Sequence, residues 1–151
     1  MLSNFARRAR NALSRESEKN LLLTGRLLSL TIRGITCVNS LADVEFRVSS
    51  QGGEDGIIDW LVERLDIPTH AFIEFGTDKY LESNTRFLLL NRNWRGFIID
   101  GSKKNVDFVK NDAIFWAHDL AAKSAFVNCE TLTKLSQILV FRAKSGCLVS
   151  I

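Results

Sequence analysis

The chain has 151 residues and a mass of 17.0 kDa, a length suited to one domain with a core of its own. Hydrophobic residues make up 46% and charged residues 25%, which excludes an acidic disordered tail, a collagen-like repeat and a long coiled coil. The formal charge is +3, but much of the excess lies in residues 1–26, and beyond them 14 basic residues face 15 acidic ones, so the main body carries no nucleic-acid footprint.

The three cysteines, Cys37, Cys129 and Cys147, are odd in number and show no C-x-x-C spacing, so a reducing, cytoplasmic setting is expected. The leucine-rich stretch from Leu21 to Ile32 is interrupted by Arg26 and is too short to cross a bilayer. Residues 1–48 read as an N-terminal helical and irregular extension, and residues 49–151 as the main domain. One or two helices are predicted from Ser3 to Ile32, with Ser3 and Ser17 as candidate N-caps. Two readings exist for the basic helix: a membrane- or partner-docking face, or a helix packed on the domain with its arginines in solvent. The charges do not sort cleanly to one face, so the second is preferred and membrane association is not expected.

Residues 33–48 read as irregular, with Gly34 and Asn39-Ser40 as breakers. The run Ser49-Ser50-Gln51-Gly52-Gly53-Glu54-Asp55-Gly56 leads into a helix whose Ile57, Ile58, Leu61, Val62 and Leu65 form its apolar face. Asp59, Glu63 and Arg64 are predicted to point outward. Gln51 and Asp55 could reach a ligand, although helix-start chemistry explains them as well. Ala71–Phe75 reads as a strand, Phe87–Leu90 as a helix after Ser83 or Asn84, and Phe97–Ile99 as a second strand. Ser102 caps a short helix, and Ala113–Ala117 reads as a third strand ending at His118-Asp119. A helix is predicted over 130–141 and a fourth strand over 147–151. Apolar strands alternating with helices predict an α/β, Rossmann-like, doubly wound parallel sheet. The sheet is expected to be incomplete, because the sequence stops within the last strand.

In such folds ligands lie at the carboxyl ends of the strands. Glu74, Gly76, Asp100 and Asp119 are the candidate residues there. A glycine after the first strand admits a ligand close to backbone, and an acid after the second can accept two vicinal ribose hydroxyls. Ordinary turn and cap chemistry also accounts for these acids. Neither G-x-G-x-x-G nor a P-loop occurs, and Asp78 and Glu82 would repel phosphate. A nucleoside with positive charge, S-adenosylmethionine (SAM), suits the turn better. No Cys/His cluster has zinc spacing, so no metal is assigned, and Trp60, Trp94 and Trp116 read as packing anchors.

Five blocks carry a resemblance: Glu45-Phe46-Arg47-Val48-Ser49-Ser50-Gln51-Gly52-Gly53-Glu54-Asp55-Gly56-Ile57-Ile58, Phe72-Ile73-Glu74-Phe75-Gly76, Glu82-Ser83-Asn84-Thr85-Arg86-Phe87-Leu88-Leu89, Asn93-Trp94-Arg95-Gly96-Phe97-Ile98-Ile99-Asp100-Gly101-Ser102 and Trp116-Ala117-His118-Asp119-Leu120. Over residues 45–120 the chain resembles FkbM-like, SAM-dependent methyltransferases. The resemblance implies a class I methyltransferase fold and methyl transfer to an oxygen of a small-molecule or glycan acceptor. It places Glu74 and Gly76 on the first cofactor motif, Asp100 on the ribose acid and Asp119 near the adenine. The catalytic base is left unassigned, since relatives continue past the Leu-x-Ser-Ile strand into an Asp-x-Asp-Gly segment. The alternative expectation is a C-terminally truncated, inactive remnant that serves at most as a binding or assembly module.

Overall fold

A computed structural model describes residues 2–128, with side chains from residue 13 onward. The predicted helix at 130–141 and the predicted strand at 147–151 lie outside the described residues. In chain order the elements are α1 (Leu2–Arg33), a short 3-10 helix (Leu41–Val44), α2 (Glu54–Arg64), β1 (Ala71–Phe75), α3 (Arg86–Arg92), β2 (Arg95–Asp100), α4 (Lys103–Lys110), α5 (Ala113–Ala117) and β3 (Leu120–Ser124). They form two compact units. Residues 49–66 and 82–92 belong with the N-terminal helix, and, among the described residues, 67–81 and 93–128 form the sheet unit.

The first unit is helical. α1 runs unbroken through Ser3 and Ser17, so neither serine starts a second helix. Its last third buries Gly25, Ser29 and Ile32. Ile32, Val44, Phe46 and Phe87 form the core, flanked by Leu22, Ile35, Val38, Val48, Ile57 and Trp60. Phe46 and Phe87 meet edge to face with centroids 5.4 Å apart, a favoured aromatic geometry. Ser40 and Asp43 form a capping box on the 3-10 helix: the Ser40 hydroxyl accepts from Ala42 at 3.2 Å, and Asp43 takes the Ser40 amide at 3.1 Å.

Two residues of α2 explain why it starts and packs where it does. The Asp55 Oδ2 accepts the amides of Val48, Ser49 and Ser50 at 2.7, 2.6 and 2.8 Å and the Ser50 hydroxyl at 2.9 Å. Asp55 is therefore a buried tie between loop and helix, while Gln51 is exposed. A Cβ on Gly56 would lie 2.2 Å from the Val44 carbonyl oxygen and 2.6 Å from the Phe46 nitrogen, so only glycine lets the two backbones meet.

Asp59, predicted to face solvent, is buried instead. The Ser29 hydroxyl donates to its Oδ2 at 2.6 Å, and Arg92 Nε donates to its Oδ1 at 2.7 Å. Asn91 Nδ2 donates to the Ser29 oxygen at 3.1 Å, and Arg92 reaches on to Glu63. One polar network thus joins α1, α2 and α3. The helical period of α2 alone could not reveal it, because each partner comes from a distant element.

The second unit is a three-stranded parallel sheet in the order β1-β2-β3. Phe72 aligns with Gly96 and Leu120, and Glu74 with Ile98 and Ala122. A Cβ on Gly96 would lie 2.6 Å from both the Phe72 ring and the Leu120 side chain, which close over the central strand. Ile98 and Ile99, on opposite faces of β2, are both buried, as a central parallel strand requires. α4 and α5 pack against β3, and α4 also packs against β2.

The predicted third strand is corrected. Ala113–Ala117 is helix α5, because the Asp112 carboxylate accepts the Ile114 amide at 2.9 Å and caps a helical turn. β3 begins at Leu120, beyond the predicted end, in a stretch of small and polar residues. Trp116, predicted as a packing anchor, is 80% exposed, whereas Trp94 is buried and Trp60 donates to the Ile35 carbonyl at 2.8 Å.

Candidate functional site

The carboxyl ends of β1 and β2 bring Gly76 and Asp100 together. β1 passes into a tight turn at Gly76, whose amide still donates to the Ile99 carbonyl at 2.9 Å. Gly76 has φ +66°, and a Cβ placed there would meet nothing within 4 Å. The glycine is required by its left-handed conformation, not by crowding, and the space beside it is open. Asp78 and Tyr80 also lie in the left-handed region, at φ 48° and 57°. Such conformations are costly for residues with a Cβ and cluster at ligand sites.

Asp100 holds this turn. Its Oδ2 accepts the Asp78 amide at 2.9 Å, and its Oδ1 accepts the Ser102 amide at 2.8 Å and Asn105 Nδ2 at 3.1 Å. A carboxylate offers about four acceptor sites, so three of them are occupied by the protein itself. One site remains, and displacing the Asn105 amide would open a second. Asp100 is 8% exposed, so a ligand hydroxyl bound there would be largely screened from water.

Thr77, between Gly76 and Asp78, is buried, and its hydroxyl has no hydrogen-bond partner. A buried hydroxyl without a partner forfeits roughly 1–3 kcal/mol, which a ligand group could recover. On the other side of Asp100, a Cβ at Gly101 would lie 2.9 Å from the Phe126 ring. Phe126 is 85% exposed and follows the carboxyl end of β3, whose Ala125 amide donates to the Asp100 carbonyl at 3.0 Å. Glu74 is half-buried on β1, one row short of the strand end.

Asp119 is not part of this group. With β3 starting at Leu120, Asp119 precedes the strand and lies at its amino end, where its Oδ2 is 2.6 Å from Arg95 Nε at the start of β2. About 16 Å of strand separates that end from Asp100. His70 precedes β1, with its ring 5.2 Å from Trp94, and His118 precedes β3, with its Nδ1 3.2 Å from Asn93 Oδ1. Both histidines therefore lie at the amino end, away from Gly76 and Asp100.

The sequence reading missed Thr77, Asn105 and Phe126. Asn105 stands three residues after the helix-capping Ser102, a position from which a side chain on α4 reaches back to the strand end. Thr77 carried no periodic or motif signal, and Phe126 lay only in a weak continuation of the resemblance through Ala125-Phe126-Val127. Among the described residues no group of three or more His, Cys, Asp or Glu could hold a metal ion. Comparison of the chain with protein-family models, curated proteins and solved structures finds no match.

Proposed function

We propose that the chain is an FkbM-like, SAM-dependent methyltransferase domain that acts on an oxygen of a small-molecule or glycan acceptor. The observation that carries the reading is the pairing of Gly76, left-handed and open on its Cβ side, with the Asp100 carboxylate at adjacent ends of parallel strands. These residues fit the adenosine and amino-acid parts of SAM. Asp100 would accept a ribose hydroxyl, the Gly76 turn would let the ligand approach backbone, and the Thr77 hydroxyl would gain a partner. Asp78, exposed on the turn, and Glu74 supply negative charge suited to an ammonium and a sulfonium. Phe126, rather than Asp119, would lie near the base and offer it an apolar wall.

SAM supplies a methyl carbon already activated for in-line displacement, so the protein's task is proximity and alignment. The test is calorimetric titration of S-adenosylhomocysteine into the parent chain and Asp100→Ala. Loss of a hydrogen bond to a charged group predicts weakening of about tenfold or more. Equal affinity in the two proteins contradicts the assignment.

A further inference from the structure

Helix α1 buries one face and leaves the opposite face bare. Leu22, Gly25, Ser29 and Ile32, spaced by three and four residues, turn toward the helical unit. On the far side Leu23, Leu27 and Leu30 recur at the same spacing and are 55%, 67% and 60% exposed. The line continues back through Asn20 and Glu16 to Leu13, and every residue from 13 to 20 is exposed. A helical stretch exposed all round, as residues 13–20 are, is marginal in water, so it gains from a surface to lie on.

The charges beside the leucines indicate which surface. Arg15, Lys19, Arg26 and Arg33 are spaced by four and seven residues and follow one flank of the stripe, while Ser17, Thr24 and Thr31 line the other. Lys19 lies 3.9 Å from Glu16, and Arg33 lies 3.9 Å from Glu63, which Arg92 already binds. Arg26 donates to the neutral Leu90 carbonyl at 3.0 Å and forms no ion pair among the described residues. Residues 1–33 hold seven basic residues against two acidic ones. A second copy packed antiparallel would bring two cationic flanks together across a leucine seam, which is repulsive, and a parallel copy would set each cationic flank against uncharged Ser17, Thr24 and Thr31, with no anion to meet it.

We propose that α1 is a peripheral docking helix for an anionic lipid surface. The leucines enter the headgroup boundary, and the arginine and lysine stems run along it to reach lipid phosphates and carboxylates. The helix would lie in the plane of the surface, since among the described residues no helix is long and apolar enough to cross a membrane. This reverses the preference drawn from the sequence, where the charges of the basic helix did not sort cleanly to one face because its buried face was not yet known. It stands apart from the methyltransferase reading and survives the failure of that reading.

The test is co-sedimentation of the full chain with phosphatidylcholine vesicles made with and without phosphatidylserine. Binding is expected only to the phosphatidylserine vesicles. Replacing Arg15 and Lys19 together by Gln is expected to weaken it about thirtyfold, and Leu27→Glu to abolish it. Both changes fall on exposed positions, and circular dichroism checks that each variant keeps its helix content. Equal binding to both vesicle types, binding to neither, or undiminished binding by either folded variant overturns the proposal. A chain that dimerises with concentration and ignores vesicles also overturns it.

Discussion

Asp100 illustrates how a side chain proposed to hold a ligand can also hold structure. Its three hydrogen bonds fix the turn after β1 to the turn after β2, so removing the carboxylate also loosens the site. Gly76 separates the two roles more cleanly, because no neighbour would meet a Cβ there. Gly76→Ala is expected to cost about 1 kcal/mol of stability through its left-handed conformation alone, read as a small shift in a urea midpoint. Asp59 behaves differently. Asp59→Ala leaves the Arg92 guanidinium, only 15% exposed, without its buried carboxylate partner and should cost about 3 kcal/mol.

Glu63 adds a pH dependence. The hydrogen bond from Arg92 holds its carboxyl below the ordinary value of 4.5, against a smaller opposing effect of burial. A carboxyl with a depressed folded pKa contributes stability above its unfolded value and loses it as pH falls through the folded value. The melting temperature of the parent chain should therefore exceed that of Glu63→Gln at pH 6, and the gap should close below pH 4.5. A gap independent of pH would assign the effect to packing.

At the scale of elements, β1 and β2 were legible because their apolar runs end in Glu74-Phe75-Gly76 and Asp100-Gly101-Ser102, where a change of direction is written in the residue types. The strand boundaries at 71–75 follow the sequence reading directly. α5 was not legible: Ile114, Phe115 and Trp116 favour a strand by type, and only the Asp112 cap and the single buried Ile114 betray a helix. β3 was hidden because Lys123 and Ser124 make its end polar. Its displacement moved the expected third-strand acid, Asp119, to the opposite end of the sheet. Gly56 makes the most exacting demand on element packing. Gly56→Ala must push α2 away from the Val44–Phe46 backbone, and a loss of at least about 2 kcal/mol is expected despite the better helix propensity of alanine.

At the scale of the whole chain, the alternation of strand and helix correctly indicated a parallel α/β sheet, now seen in the order β1-β2-β3. It did not indicate that residues 49–66 and 82–92 join α1 in a helical unit of their own. That division depends on the Asp59 network and the Phe46–Phe87 contact, which link residues 30 or more positions apart and leave no local signature. The carboxyl end of the sheet, where the ligand is proposed, was legible from two residues, Gly76 and Asp100. Thr77, Asn105 and Phe126 emerged only when the turns were seen side by side.

The most direct test of the account is the amide NMR spectrum of the full chain during titration with S-adenosylhomocysteine, with adenosine as a comparison. The account predicts saturable shifts at Gly76, Thr77, Asp78, Gly101 and Phe126, stronger with S-adenosylhomocysteine than with adenosine, and silence at Arg95 and Asp119. A dispersed spectrum unchanged by either ligand, or shifts confined to the Arg95–Asp119 end of the sheet, would contradict it.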